Sequence, residues 1–373
     1  MNLSRAARSL GLPVERLESL MEGILKLSSW PEPRLLRFEK GISGVEPGTV
    51  IFENGDVVHG YPKIRRAMML GPAIRRNFLD RVAVEEKMNG YNIRAVSVDG
   101  DVYALTRGGY ICPFSTEIVR ERVDPDLFDD HPDIVLCGEM VGPENPYVPK
   151  DVYPVESIDF YIFDISKKNC RSMMGVHATH ALAEEYGINV VPFFGEFPVE
   201  RAADEIFRII KRLGRSGREG VVIKDPENRA SPLKYTASES NCSDLEFAFR
   251  YYNDYAQDFF FSRVVREGFQ SVEWNEDEAA LRERALRLGE SILVPLTDTI
   301  RRRMQGEQIV QQVQIRVRSI QTARDFEQHL RRMGTKAIFD IPEQDGDRYV
   351  VRILKQVMST NDKTLAVIEG QPW

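Results

Sequence analysis

The segment EEKMNGYN at residues 85–92 holds the side chain best suited to covalent chemistry, because Lys87 stands between a β-rich run and Gly90. A lysine amine attacks an electrophile only after losing its proton, which burial or a neighbouring cation promotes. A glycine-containing turn beside it leaves room for a phosphate. KxxG alone is a short pattern, and a single lysine is ordinarily a solvated surface charge, so the segment gains weight only in company. Other reactive residue types are poorly arranged for chemistry. His177 and His180 lie three apart on a predicted helix with no third ligand, which reads as structural or solvated histidine. Cys112, Cys137, Cys170 and Cys242 show neither CxxC spacing nor nearby histidines, so they are expected to be reduced core thiols.

The company is present further along the chain. After Lys87 come Arg107 in LTRGG, Glu139 in LCGEMVG, Phe163 in FYIFDI, Glu219 in REGVVIK and Lys234 in SPLKYT, each set among β-rich runs. In order and spacing the chain resembles the covalent nucleotidyltransferase superfamily of ATP-dependent DNA and RNA ligases and mRNA capping enzymes. The resemblance implies that Lys87 becomes a lysyl-AMP nucleophile and that Arg107 contacts phosphate. It further implies that Glu139 holds the ribose, Phe163 stacks on adenine, Glu219 binds a metal and Lys234 closes the site. It also sets Glu86 and Asn92 against ATP, and gives Lys224 a share with Lys234 in both ATP binding and catalysis. These residue types suit adenylyl transfer. Negative charge gathers on the α-phosphate oxygens under attack, and lysines with a divalent cation stabilise it. A carboxylate accepts from ribose hydroxyls, and an arginine fork grips phosphate.

The branch of the superfamily is read from the residues after the lysine. DNA ligases and capping enzymes typically carry KxDGxR, whereas this chain has Asn89 and Asn92, and KxxGxN resembles RNA ligases of the strand-repairing type. The N-terminal module and the helices after the last motif resemble the archaeal homodimeric RNA ligases that circularise RNA. The implied substrates are RNA ends carrying a 5′-phosphate and a 3′-hydroxyl, with single-stranded DNA as a further candidate. ATP and Mg2+ are the implied cofactors, with Mn2+ as a candidate alternative, and a homodimer is the expected assembly. A DNA ligase, a GTP-using capping-type enzyme and a catalytically silent nucleic-acid end-binding protein remain the alternatives. Asn92 disfavours the first two, and the intact set Lys87, Glu139, Glu219 and Lys234 disfavours the third. One departure is that Tyr235 and Thr236 follow Lys234 where the family often has KxK, so the role of Lys234 among closing lysines stays open. Arg65, Arg66, Arg75 and Arg76 suit either RNA phosphates or an exposed helix face.

Positioning these residues falls to an expected α+β chain in four parts. Residues 1–78 form an N-terminal α/β module, with helical spacing through 2–28 and a hairpin turning at Asn54-Gly55-Asp56. Residues 79–238 form an antiparallel-sheet nucleotidyltransferase (adenylation) domain with helical insertions at 176–187 and 199–214. Residues 239–305 are helical and a candidate dimerisation domain. The dense aromatic set from Phe247 to Phe261 there reads as core or subunit interface rather than a base-stacking platform. Residues 306–373 form a C-terminal α/β module, with a helix at 321–333 and strands DRYVVRILKQV and KTLAVIEG joined by a turn at Ser359–Asp362.

Composition sets the outer bounds. The 373 residues carry a net charge of -7, which excludes a protein that coats nucleic acid through an overall basic surface but leaves a local basic groove open. No apolar run approaches the ~20 residues of a bilayer span, and the start MNLSRAARSLGLPVERL is charged rather than signal-like, so a cytoplasmic protein is expected.

Overall fold

Two short helices open the chain, α1 (Leu3–Leu10), ended by Gly11 at φ 68°, and α2 (Val14–Leu20), which starts directly after Pro13. The expected helical run stops there. Leu25–Ser28 is a strand, β1, in register with β2 (Leu35–Phe38), so Leu25 reaches the core by pairing with Phe38. The hairpin forms as its residues dictate. β3 (Val50–Phe52) and β4 (Val57–Val58) pair antiparallel around Gly55 at φ 87°, where the Asn54 side chain accepts from the Asp56 N–H at 2.8 Å. These four strands make one sheet. The computed structural model describes residues 1–28, 30–31 and 33–372.

The next stretch builds two further sheets. Its elements are β5 (Arg65–Arg66), α3 (Leu70–Asn77), β6 (Arg81–Lys87), β7 (Tyr91–Val98), β8 (Asp101–Thr106), α4 (Pro113–Arg122), α5 (Asp126–Asp130), β9 (Ile134–Val141) and β10 (Asp159–Lys167). α6 (Val176–Glu185), β11 (Phe193–Pro198), α7 (Val199–Arg215), β12 (Gly220–Lys224) and β13 (Leu233–Thr236) complete it. One sheet runs β10-β9-β7-β8 and the other β11-β6-β12-β13-β5, antiparallel throughout except that β5 lies parallel to β13. The apolar run 221–223 of β12 is explained by its central place, since the strand is buried at every position between β6 and β13. Helix α7 lays Ile206, Ile209, Ile210 and Leu213 into one core with Val82 and Ile223 of its sheet.

A helical stretch follows, with α8 (Ser238–Arg250), α9 (Gln257–Glu273) and α10 (Glu278–Met304). The chain then forms β14 (Val310–Val317), α11 (Ile320–Arg332), β15 (Ala337–Phe339), β16 (Glu343–Asp345), β17 (Arg348–Gln356) and α12 (Met358–Ile368). The strand expected over KTLAVIEG is a helix. Its free first-turn N–H groups are capped from afar, Ser359 and Thr360 donating to the carboxylate of Asp254 at 3.2 and 2.8 Å, while Ser359–Asp362 form its first turn rather than a loop. The last sheet shares its core with β7–β10, Phe114 and Ile118 packing with Phe326, Val313 and Ile353. Cys112, Cys137 and Cys242 are buried free thiols, but Cys170 is exposed just after β10, where its thiol bonds with the Ser172 hydroxyl at 2.9 Å instead of entering the core. Among the described residues no helix is long and apolar enough to cross a membrane.

Candidate active site

A cavity of about 690 Å³ opens beside β6, β7, β12 and β13, and strands of both central sheets contribute its walls. Lys87, the last residue of β6, lines it together with Glu86, Asn92, Arg107, Glu139, Phe163, Lys224 and Lys234. Glu219, just ahead of β12, joins the set by pairing, accepting from Lys87 Nζ at 2.5 Å. All nine residues singled out in the sequence therefore meet at one place. Gly90 also lines the cavity, and a side chain there would meet the Met140 carbonyl at 2.0 Å, so the glycine admits the close pass of β9 at the cavity wall.

Electrostatics divide the polar groups sharply. Burial works to lower the Lys87 amine, but the carboxylates of Glu219 and Glu139 outweigh it and hold its pKa above the ordinary lysine value. The amine is thus a protonated partner of Glu219, not the free base that attack demands. Burial pushes the half-buried Glu139 carboxyl up to about 7, against the pull of Lys87. Lys234 moves the opposite way, lowered to about 8 by burial and by the nearby charges of Lys87 and Arg66. Arg66 stands opposite Lys234 in the parallel β5–β13 pairing. Arg107 is exposed at the rim, and its charge is felt by both Glu139 and Lys234.

Phe163 reaches the cavity through an irregularity. The β9–β10 register slips between Ile162 and Asp164, leaving Phe163 as the extra residue of a bulge, which turns its ring inward against Tyr61 at 5.1 Å between centroids. Lys224 lies behind that ring. Its buried ammonium donates to the Phe163 carbonyl at 2.5 Å and to Asp164 at 3.0 Å, and pairs with Glu85 at 2.6 Å. Burial alone would lower the pKa of this lysine, but the two carboxylates raise it instead. With its donors engaged there, Lys224 lines the cavity as a brace behind the Phe163 wall. Glu86 is held by Arg218 at 2.8 Å, and Asn92 Oδ1 is buried at the cavity without a protein partner.

Several members of the site were missed by sequence reasoning. Tyr61, Lys63 and Ile64 come from the N-terminal segment and Met333 from the end of α11, positions that carry no local motif. Glu85 and Asp164 left a trace, being charges in otherwise apolar strands, and both prove to hold Lys224. His180 Nε2 donates to the Glu85 carboxylate at 2.7 Å and His177 pairs with Glu196 on the surface, in keeping with structural and solvated roles. Among the described residues no group of three or more His, Cys, Asp or Glu is arranged to hold a metal.

Comparison with known proteins bears on the whole chain. Residues 80–236 match the family model for RNA ligase, and residues 247–371 match that for the ligase Pab1020 C-terminal region. An uncharacterised protein of Methanocaldococcus jannaschii is 39% identical, covering 100% of this chain and 97% of its own length. Two solved structures of an archaeal ATP-dependent RNA ligase, its form 1 and form 2, superpose with a TM-score of 0.94 at 40% and 41% identity, covering both chains completely. A putative ATP-dependent DNA ligase from Aquifex aeolicus gives a TM-score of 0.91 at 26% identity over 97% of this chain and 100% of its own.

Proposed function

This chain belongs to the RNA ligase family, and we propose that it uses ATP to join 5′-phosphate and 3′-hydroxyl RNA ends through lysyl-AMP and RNA-adenylate intermediates. The observation that carries the reading is the meeting of Lys87, Glu139, Glu219, Lys234 and Arg107 at one nucleotide-sized cavity with Phe163 on its wall.

In the first step Lys87 Nζ forms a bond to the α-phosphorus of ATP, the bond to the β-phosphate oxygen breaks, and pyrophosphate and the amine proton depart. In the second, an oxygen of the RNA 5′-phosphate displaces Lys87 from AMP. In the third, the 3′-hydroxyl attacks that 5′-phosphorus, loses its proton and expels AMP. Each displacement trades one bond to phosphorus for another, so positioning and charge neutralisation supply most of the acceleration. Lys234, Arg107 and Arg66 provide the positive charge, Glu139 and Asn92 the ribose contacts, and Phe163 the adenine face. Lys224 keeps that face in place. Glu219 lies against Lys87 at 2.5 Å, and a carboxylate completed by substrate phosphates suits Mg2+ or Mn2+, which bind few protein ligands at such sites. Bound there, the cation would neutralise phosphate charge. Occupying Glu219 would also free the Lys87 amine to lose its proton.

Exposed apolar side chains along α9 and α10, among them Phe261, Val272 and Leu286, support a homodimer built on these helices. The test of the activity uses purified protein with α-labelled ATP and a divalent cation. Acid-labile label retained by the denatured wild type and absent from Lys87→Ala is the expected result, with transfer of label to 5′-phosphorylated RNA rather than DNA deciding the substrate. Label independent of Lys87 would refute the assignment.

A further inference from the structure

A second cavity, of about 180 Å³, lies where the N-terminal sheet meets α11. It is coupled to the active site by two short stretches of chain. The loop that brings Arg107 and Gly108 to the main cavity brings Tyr110 and Ile111 to this one, and the end of α11 sets Met333 on the first and Arg332 on the second.

Its lining is chemically specific. The guanidinium of Arg37 lies 4.0 Å from the centre of the Tyr110 ring, and that of Arg332 lies 4.7 Å from the ring of Trp30. Stacking of this kind occupies the flat faces of the guanidinium and leaves its N–H edge for an anion. Arg37 has Glu39 at 3.5 Å, whereas Arg332 meets no carboxylate among the described residues. His329 completes the wall and is only 2% exposed. One ring nitrogen is bonded by the Ile111 backbone, while Nε2 is buried with no partner. Burial pushes this imidazole down to about 4, so it is neutral and Nε2 offers a lone pair. A buried acceptor left unmet is costly, and the ligand that suits the cavity brings both a negative charge for the arginines and a hydroxyl for the imidazole.

We propose that this cavity is a sugar–phosphate subsite for the RNA strand being joined, Arg332 and Arg37 holding a backbone phosphate and His329 Nε2 accepting from a ribose 2′-hydroxyl. The 2′-hydroxyl is the group that DNA lacks, so the subsite reads the sugar. At about 180 Å³ it is smaller than the usual pocket for a whole small ligand, which fits a sugar and phosphate with the base left outside. The subsite rests on the ligase reading of the main cavity, and it makes the C-terminal module part of the substrate site.

The experiment follows sealing of 5′-adenylylated RNA by the full-length protein, with single 2′-deoxy substitutions scanned through the nucleotides next to each end. His329→Phe keeps the ring that stacks on Phe326 but removes the acceptor. Wild type is expected to slow roughly tenfold when one particular 2′-hydroxyl is removed, the size of one neutral hydrogen bond. His329→Phe should slow by a similar factor on all-ribose RNA and be indifferent to that same deoxy substitution, while still forming lysyl-AMP. Arg332→Gln should lower the slope of log affinity against log salt by about 1. A His329→Phe protein that keeps the single-position deoxy penalty overturns the subsite, as does equal loss of self-adenylylation and sealing, which marks a packing role. Wild type that never forms lysyl-AMP overturns the ligase reading and the subsite together, whereas loss of the subsite alone leaves lysyl-AMP formation intact.

Discussion

At the scale of single residues, the site is organised by opposed shifts in protonation. Lys234 is lowered to about 8, and unlike Lys87 and Lys224 it makes no ion pair with a carboxylate among the described residues. The value of kcat/KM for ATP in self-adenylylation reports the free enzyme, so it should fall as pH rises through about 8 and Lys234 loses its proton. Lys234→Arg keeps its charge and should carry the falling limb to higher pH, which a pH series on both proteins measures. An unmoved limb would assign it elsewhere. Glu139 offers a test of stability. Its folded pKa of about 7 exceeds the ordinary carboxylate value, so the folded state holds the proton more tightly and stability declines as pH rises toward 7. Glu139→Gln removes that decline. The variant should match wild type near pH 4 and be more stable by about 1–2 kcal/mol at pH 8 in urea unfolding, while binding ATP more weakly. Lys87, Glu139 and Lys234 were legible because their order along the chain survives folding. The bracing role of Lys224 was not, since Glu85 and Asp164 reach it from other strands.

At the scale of elements, what the sequence withheld was set by contacts from outside each segment. The apolar alternation of KTLAVIEG permits a strand, but Asp254 caps the segment as a helix. FYIFDI reads as a regular strand, and only its pairing with β9 reveals the bulge that aims Phe163. Arg94 shows the same principle at the loop that carries Arg107. It is fully buried in β7 and donates to the carbonyls of His59 at 2.7 Å and of Gly48 and Thr106 at 2.9 Å. These bonds tie the N-terminal module to the residue just before Arg107. The approach is tight, since a side chain at Gly48 would lie 1.9 Å from the Arg107 carbonyl. Arg94→Met keeps the bulk of the stem and strands three buried carbonyls. It should cost about 3 kcal/mol or more in denaturant unfolding, the cumulative penalty of unmet buried acceptors. If the Arg107 loop is held this way, phosphodiester sealing should fall more than global stability explains. A loss of stability without that excess would confine Arg94 to scaffolding.

At the scale of the whole molecule, the parts read along the sequence are joined by common cores and by ion pairs. Residues of β7 to β10 share a core with β14, β17 and α11, and Arg348 and Arg316 meet Glu121 and Glu144 at 2.8 and 3.2 Å across the same seam. The C-terminal α/β module therefore packs on the central sheets, as Met333 at the main cavity requires. Helices α9 and α10 present the contrary case, for they leave Phe261 72% exposed, Val272 71% and Leu286 63%. Scattered apolar residues are ordinary on a surface, and a set repeated along two adjoining helices is the kind of face that the proposed homodimer would bury. For the proposed homodimer, mass action makes the melting temperature of wild type rise with protein concentration. Phe261→Glu combined with Val272→Asp places like charges on both faces of a two-fold contact, where each is met twice. The double variant should sediment as a monomer whose melting temperature no longer depends on concentration, with intrinsic stability altered by only about 0.5 kcal/mol because neither side chain is packed within the chain. Wild type that sediments as a monomer at micromolar concentration removes the dimer. A double variant that remains dimeric moves the interface off these helices.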